Sequence, residues 1–475
     1  MNKEINQPNI LLIMPDQMRG DCLSLEHHPV LITPNIDEIG GQGAHFTKAY
    51  TTCASCIPAR RSLLTGQFPA TNGMVGFVGG HPIKSDTLPQ LLKDNGYATA
   101  LIGRNMHQHP YEEGYGFEKQ ILGSTYIEDD EYSKALDKAI PELGGIRGLG
   151  ISCNGWQAKP WTYPEHLHPT NWVVKQSRDH IKEIGGNQPQ LLVTSFYAPH
   201  PPLIPPEYYM NRYLSQDLPE PAIGQWEEPP PNNALGLGVN SNRTVLKGEA
   251  LKAAQAGYFG LINQIDDQIY WMVREFKDMS IKAKRPWIIL FTTDHGEMMG
   301  DHYYFRKCEP YEGSSRIPFL IQGSDQLGFK KGLTNDTPVC LEDIMPTLLE
   351  LAEIEISNNI DGKSLVSLLR GEAEEVRQYL HAEHSPCYSD EQAYHFITDG
   401  EFKFIWRPFE GIEQLFNLKS DPNELINLTA DEKHEKKLTE LRTQLIKTLK
   451  NRPEGFTNGS ELIANQKYPG VLPGY

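Results

Sequence analysis

Cys53 and Cys56, in the stretch TTCASCIPARRSLLTGQFP from Thr51 to Pro69, stand three residues apart, the spacing of a redox or zinc-binding pair. A zinc ribbon needs a second cysteine or histidine pair at ligand spacing, and none follows. In a thioredoxin-type motif the first cysteine opens a helix. Here the second one does, because Pro58 is tolerated only within a helix's first turn. Cys56 therefore sits where unpaired backbone N–H groups favour an anion. Cys53 is read as a small buried hydrophobe. The helix dipole contributes roughly 0.3–1 kcal/mol, too little to drive a reaction. A metal and fixed cations must supply the rest.

Cys56-Ile57-Pro58-Ala59-Arg60, followed by Leu64-Thr65-Gly66, resembles the signature of the type I sulfatases, C-x-P-x-R followed by L-T-G. A chance match is on the order of 10⁻⁵ for a chain of this length. Ala59 stands where serine is common, a variant the pattern tolerates. The resemblance covers nearly the whole chain and implies an alkaline phosphatase-like α/β fold in which Cys56 is oxidised to formylglycine by a maturation enzyme. Asp16-Gln17, after the apolar LLIM, matches the family's first metal carboxylate, with glutamine where many members have a second aspartate. Asp294-His295, after the apolar WIILF, matches its Asp-Asn/His pair. Both fall at strand C-terminal ends, where open α/β sheets bind ligands.

Three further blocks extend the match. FRKCEPYEGSSRIPFL nominates Lys307 to bind the sulfate group, with Glu312 and Arg316 as a structural pair. YAPHPPLIPP nominates His200, and LIGRNMHQHP stands where the family reads G-K-x-H, with Arg104 in place of the lysine and one extra residue before His107. The mechanism implied is attack on sulfur by one hydroxyl of the hydrated formylglycine at Cys56, then expulsion of sulfate through the second hydroxyl. Asp16, Gln17, Asp294 and His295 hold one divalent metal, which also binds the residue at Cys56. Arg60 activates the diol, His107 and Lys307 bind it and the sulfate, and His200 protonates the leaving oxygen. Oxygen-rich ligands favour Ca²⁺, with Mn²⁺ as the alternative a histidine nitrogen suits.

The substrate is expected to be a sulfated carbohydrate first, and a small aryl or alkyl sulfate second. Trp156, Trp161, His166 and His168, in the stretch 150–172, offer rings for stacking on a sugar, although loop or core packing would use the same residues. Two rival readings remain. One is a phosphonate monoester or phosphodiester hydrolase of the same superfamily. The other is a non-catalytic binding protein, which should have lost site residues that this chain keeps.

Short apolar runs alternating with helical patterns position these groups and predict a mainly parallel sheet. Strands are expected over 9–14, 98–103, 190–198 and 286–294, and helices over 60–64, 87–95, 172–183, 251–277 and 341–352. The proline-rich segment 199–233 is expected to be a long surface loop. From about Glu375 the pattern becomes an antiparallel meander followed by an amphipathic helix, which divides the chain into a catalytic part, 1–374, and a smaller C-terminal part, 375–475.

The 475 residues carry a formal net charge of −17, which disfavours nucleic acid or an anionic membrane as partner. That charge is screened beyond roughly 8 Å, so a local cluster of cations would decide whether a small anion binds. No segment reaches the roughly 20 apolar residues of a membrane span. Seven scattered cysteines fit a reducing compartment, and the start lacks a signal-peptide pattern. The expectation is a cytoplasmic protein, or a periplasmic or secreted one whose leader has been removed.

Overall fold

A computed structural model describes residues 7–124, 127–186, 188–231, 241–356 and 359–475. The main sheet has eight strands, in the spatial order Lys119–Leu122, Ala98–Gly103, Gln190–Pro199, Asn9–Asp16, Trp287–Thr292, Phe319–Gly323, Ala44–Phe46 and Leu333–Asn335. The first five run parallel, and Phe319–Gly323 is antiparallel to both of its neighbours. The central strand shows why both faces must be covered. Leu11 and Ile13 enter one hydrophobic core; Ile10, Leu12 and Met14 enter the other. Such a run, apolar at every position, belongs to a sheet with helices on both sides.

Helices Pro34–Gln42, Pro169–Ile184 and Gly248–Lys282 fill the first core. Cys56–Thr65, Leu88–Asp94 and Ile344–Leu351 fill the second. All ten residues of Cys56–Thr65 are buried, and the helix stops at Gly66, whose φ of 64° is the left-handed conformation glycine adopts without a Cβ penalty. Gly103 is required more strictly. It ends its strand at φ 103°, and a Cβ there would fall 1.9 Å from the Ser195 carbonyl oxygen.

The four strands Leu380–His384, Tyr394–Thr398, Phe402–Arg407 and Ile412–Asn417 form a separate antiparallel sheet. Helix Glu435–Leu449 closes one face of it with Leu438, Leu441, Leu445 and Leu449 against Phe404, Trp406 and Leu415. Burying each such leucine contributes roughly 1.5–3 kcal/mol. The other face lays Phe396, Ile405 and Phe416 on Tyr50, Met298 and Tyr311. This sheet is therefore a wall against the loops that carry the chemistry.

One expectation is corrected. The proline-rich segment is not a surface loop throughout: residues 200–206 are buried, and Glu207–Leu214 is a helix packed on Gly248–Lys282. Tyr209, Met210 and Tyr213 give that helix its apolar face. The segment's last two positions, 232 and 233, lie outside the described residues. Among the described residues no helix is long and apolar enough to cross a membrane.

The interior makes a prediction about acid stability. Burial holds His28, His180, His302, His381 and His384 at about 4 and His168 at about 3. An unfolded chain would protonate all six below about 6.5. Their contribution is complete above that pH and is lost as pH falls towards 4, each group by at most about 1.4 kcal/mol per pH unit. Asp266, Glu342 and Glu424, pushed up to about 7 by burial, act in the opposite sense. The histidines outnumber them. Melting temperature should therefore fall between pH 6.5 and pH 5, and a flat or rising profile over that range would contradict the buried neutral imidazoles.

Candidate active site

Four neighbouring strands deliver the site at their C-terminal ends. Asp16 closes Asn9–Asp16, Arg104 follows Gly103, His200 follows Pro199, and Asp294 lies just beyond Thr292. The helix Cys56–Thr65 approaches from below with Cys56 as its first residue and Arg60 one turn on. Arg60 is fully buried and ties two of the strands together: Nε donates to Asp294 Oδ2 at 2.8 Å and a terminal nitrogen to Asp16 Oδ2 at 2.7 Å. Its other nitrogen reaches the Asn105 carbonyl at 3.1 Å and Ser195 Oγ at 3.3 Å. Arg104 Nε lies 2.8 Å from Asp16 Oδ2, and its guanidinium stacks 4.6 Å over the Tyr197 ring.

The Cys56 thiol is the centre of this arrangement. It lies 3.2 Å from His295 Nε2, 3.5 Å from Lys307 Nζ and 3.7 Å from Arg104, and it also interacts with His107. Burial alone would raise the thiol, but Lys307 and His295 bring it well below its ordinary value. Burial likewise works against Asp16, and Arg104 with Arg60 still holds its carboxyl below the usual range. A chain of net charge −17 thus concentrates Arg60, Arg104 and Lys307 around one buried point.

The residues present fit a metal. Asp16, Cys56, Asp294 and His295 are all buried, and each offers a ligand atom within 4.8 Å of the others. Asp16 Oδ1 is buried and has no hydrogen-bond partner among the described residues. The His295 ring is turned so that it can ligate. Only Nδ1–H can donate to the Gly296 carbonyl, 3.0 Å away, so Nε2, which faces Cys56, is the ring nitrogen a metal would take. Two carboxylates and one imidazole suit a hard divalent cation.

Gln17 adopts φ 66°, a strained conformation of a kind that clusters at functional sites. Its amide is engaged on both sides, Nε2 donating to Glu297 and Oε1 accepting from Lys307 Nζ at 2.8 Å. Lys307 in turn stands 3.1 Å from His200 Nε2. The His200 tautomer follows, because Nδ1 lies 2.7 Å from the Pro201 carbonyl and must carry the hydrogen. Nε2 therefore accepts from Lys307. Burial, Lys307 and Arg104 keep this imidazole well below its ordinary pKa.

Of the rings in the stretch 150–172, Trp161 and His168 are buried, Trp156 is partly buried and His166 is exposed. Trp161 is 5% exposed in the core, and the buried His168 caps helix Pro169–Ile184 with Nδ1 while Nε2 meets the Ile204 carbonyl. Trp156 packs against the same core. Two exposed rings lie beside His107. Phe77 (44% exposed) and Tyr111 (46%) both contact the His107 ring, at 6.2 and 6.3 Å. Glu312 and Arg316 do pair, at 3.5 Å, within a set that includes Lys403 and Glu26.

Sequence reasoning missed His384. Its Nδ1 faces the Ser385 carbonyl, so Nε2 accepts from Ser55 Oγ at 2.7 Å. Ser55 precedes Cys56 and makes no side-chain cap to its own helix, its hydroxyl being turned to the C-terminal sheet. No local motif marks a histidine 329 positions away. The pairing is visible only in the fold.

A mainly parallel sheet with two carboxylates and a histidine beyond its strand ends, facing a buried cysteine at a helix N-terminus, defines an alkaline phosphatase-like hydrolase. The sulfatase family model matches residues 8–354, and the chain belongs to that family. It is a sulfuric ester hydrolase. A second model, the C-terminal region of N-sulphoglucosamine sulphohydrolase, matches residues 300–451. The chain is 39% identical to an arylsulfatase of Clostridium perfringens, over 96% of this chain and 97% of that one. It is 29% identical to a choline-sulfatase of Rhizobium meliloti, over 89% and 82%. Its fold is similar to that of a phosphonate monoester hydrolase of Agrobacterium radiobacter, with a TM-score of 0.78, 24% identity, and 98% and 100% of the two chains covered.

Proposed function

We propose that the chain hydrolyses small aryl or alkyl sulfate esters through a formylglycine made from Cys56 by a maturation enzyme. The observation that carries this is the Cys56 side chain at a buried helix N-terminus, among His295, Lys307 and Arg104 and opposite Asp16 and Asp294. Residues 1–374 hold all of these groups, and residues 375–475 supply the wall behind Ser55.

The aldehyde, once hydrated, supplies the hydroxyl that attacks sulfur. Asp16, Asp294, His295 and the residue at position 56 would hold the divalent metal, with Gln17 beside them, and the metal would supply positive charge for the sulfate oxygens; calcium is the first choice and manganese the second. Arg60 fixes the two carboxylates against each other, while Arg104, Lys307 and His107 bind the anion. Lys307 Nζ holds a proton beside His200 Nε2, so the pair can pass one to the leaving oxygen. The aromatic edge of Phe77 and Tyr111 and the arylsulfatase relative favour a flat or small leaving group. A sulfated carbohydrate, the first choice on sequence alone, loses Trp161 and His168 as stacking partners because both are buried.

The second reading, a phosphonate monoester or phosphodiester hydrolase, has one observation in its favour, the fold shared with the Agrobacterium enzyme. Turnover of nitrophenyl sulfate, an alkyl sulfate, a sugar sulfate and a nitrophenyl phosphonate monoester should rank the aryl sulfate first. A faster phosphonate would transfer the proposal to the second reading. In the same assay His200→Ala should slow alkyl sulfates about 10²-fold more than activated aryl sulfates, since only a basic leaving group needs a proton as its bond breaks. Equal losses across the series would leave His200 with sulfate binding alone.

A further inference from the structure

Glu297 lies two residues beyond His295 and is buried. Three donors face its carboxyl. Oε1 accepts the backbone N–H of Met299, at 2.9 Å, and that of Arg306, while Oε2 accepts from Gln17 Nε2. Arg306 is the residue before Lys307. One carboxylate therefore holds both the turn that carries the lysine and the amide that meets its ammonium.

Gln17 is fully buried and its backbone is pinned at both ends. Its N–H donates to Asp294 Oδ1 at 3.1 Å, and its carbonyl accepts from the Tyr258 hydroxyl at 2.7 Å. The freedom left to the side chain is which end of the amide faces which neighbour. An ammonium has donors only, so the atom 2.8 Å from Lys307 Nζ has to be the oxygen. The NH2 group then points at Glu297, where only an acceptor will serve. The bonds run one way: Lys307 donates to Gln17, and Gln17 donates to Glu297.

We propose that Glu297 is a positioning residue that sets the polarity of the Gln17 amide and through it holds Lys307 in place for the anion. This rests on the reading of Lys307 as a group that binds the sulfate. The two oxygens of Glu297 are not equivalent. In Glu297→Gln the two backbone N–H groups keep the amide oxygen at the Oε1 position, because turning the amide over would set its NH2 against two donors. The new NH2 falls at the Oε2 position and faces Gln17. Gln17 must turn its own amide to offer an acceptor, and its NH2 then meets the Lys307 ammonium. Two donors face each other in a buried site, and Lys307 leaves its place beside Gln17, His200 and Cys56. A second change, Gln17→Glu, undoes this. The carboxylate at position 17 accepts from the new amide and from Lys307 alike, so every bond again has a donor and an acceptor.

The test uses the full-length, metal-loaded protein and inorganic sulfate, with binding read by calorimetry. Glu297→Gln should weaken sulfate binding by about 10-fold or more, the size of loss that supporting partners around a site cause. Glu297→Gln combined with Gln17→Glu should recover to within about 3-fold of the unsubstituted protein, a coupling that independent sites do not show. A residue that only held its turn together would make the double variant weaker than the single one. Binding is read without turnover, so the unsubstituted protein checks the anion site itself and the two variants check Glu297. Unchanged affinity in Glu297→Gln, or a double variant that binds no better than the single one, would overturn the proposal.

Discussion

Alanine at position 56 is expected to leave no turnover above background, a fall of about 10⁴-fold or more, because it replaces the thiol that oxidation converts to the aldehyde with an inert methyl on the same carbon. The surrounding cations and carboxylates would remain, so Cys56→Ala should fold and keep its affinity for sulfate. Cys53→Ala is the contrast. Burial raises the Cys53 thiol, and the cavity left by its removal should cost about 1 kcal/mol of stability without touching the chemistry. In active protein from a host with a maturation enzyme, the tryptic peptide 49–60 should carry an aldehyde in place of the thiol. Active protein with only thiol in that peptide would defeat the assignment.

Removing the Asp294 carboxylate should be nearly as severe. One oxygen accepts from Arg60, the other from the backbone N–H groups of Gln17 and His295, both at 3.1 Å. Asp294→Asn keeps the size of the side chain and deletes the charge. It is expected to lose the metal and to drop activity about 10³-fold, with Arg60 left short of a buried counter-charge. Gln17→Ala should cost less, about 10–100-fold, and keep its metal, because its amide acts on Glu297 and Lys307. Metal analysis decides between them. Equal metal loss in both variants would make Gln17 a ligand of the same rank.

What was legible in the sequence is what local pattern records. An apolar run ending in Asp16 and another ending before Asp294 announce buried parallel strands and the ends where ligands gather. Pro58 two residues after Cys56 places a helix start. The short edge strands carry no such signal: Lys119–Leu122 has no fully buried residue, and Leu333–Asn335 is only three residues long. The helix Glu207–Leu214 was hidden by the prolines before it, which set its N-terminal boundary rather than preventing it. Trp161 and His168 mislead for the opposite reason. Rings suited to stacking on a sugar are equally suited to a core, and residue type alone does not say which. His384 depends on a pairing between distant segments, which no spacing rule contains.

The contact between Ser55 and His384 bears on the order of events in the protein's life. Cys56 is 1% exposed, and the wall that closes over its helix comes from the last quarter of the chain. On the function proposed above, a maturation enzyme would have to reach that side chain through its own active site, which a shut interior does not permit. Oxidation of Cys56 would then come first, while residues 380–417 are still unmade or undocked. The C-terminal sheet would act as a seal, and a chain that folded too quickly would lock itself in as an inert thiol protein.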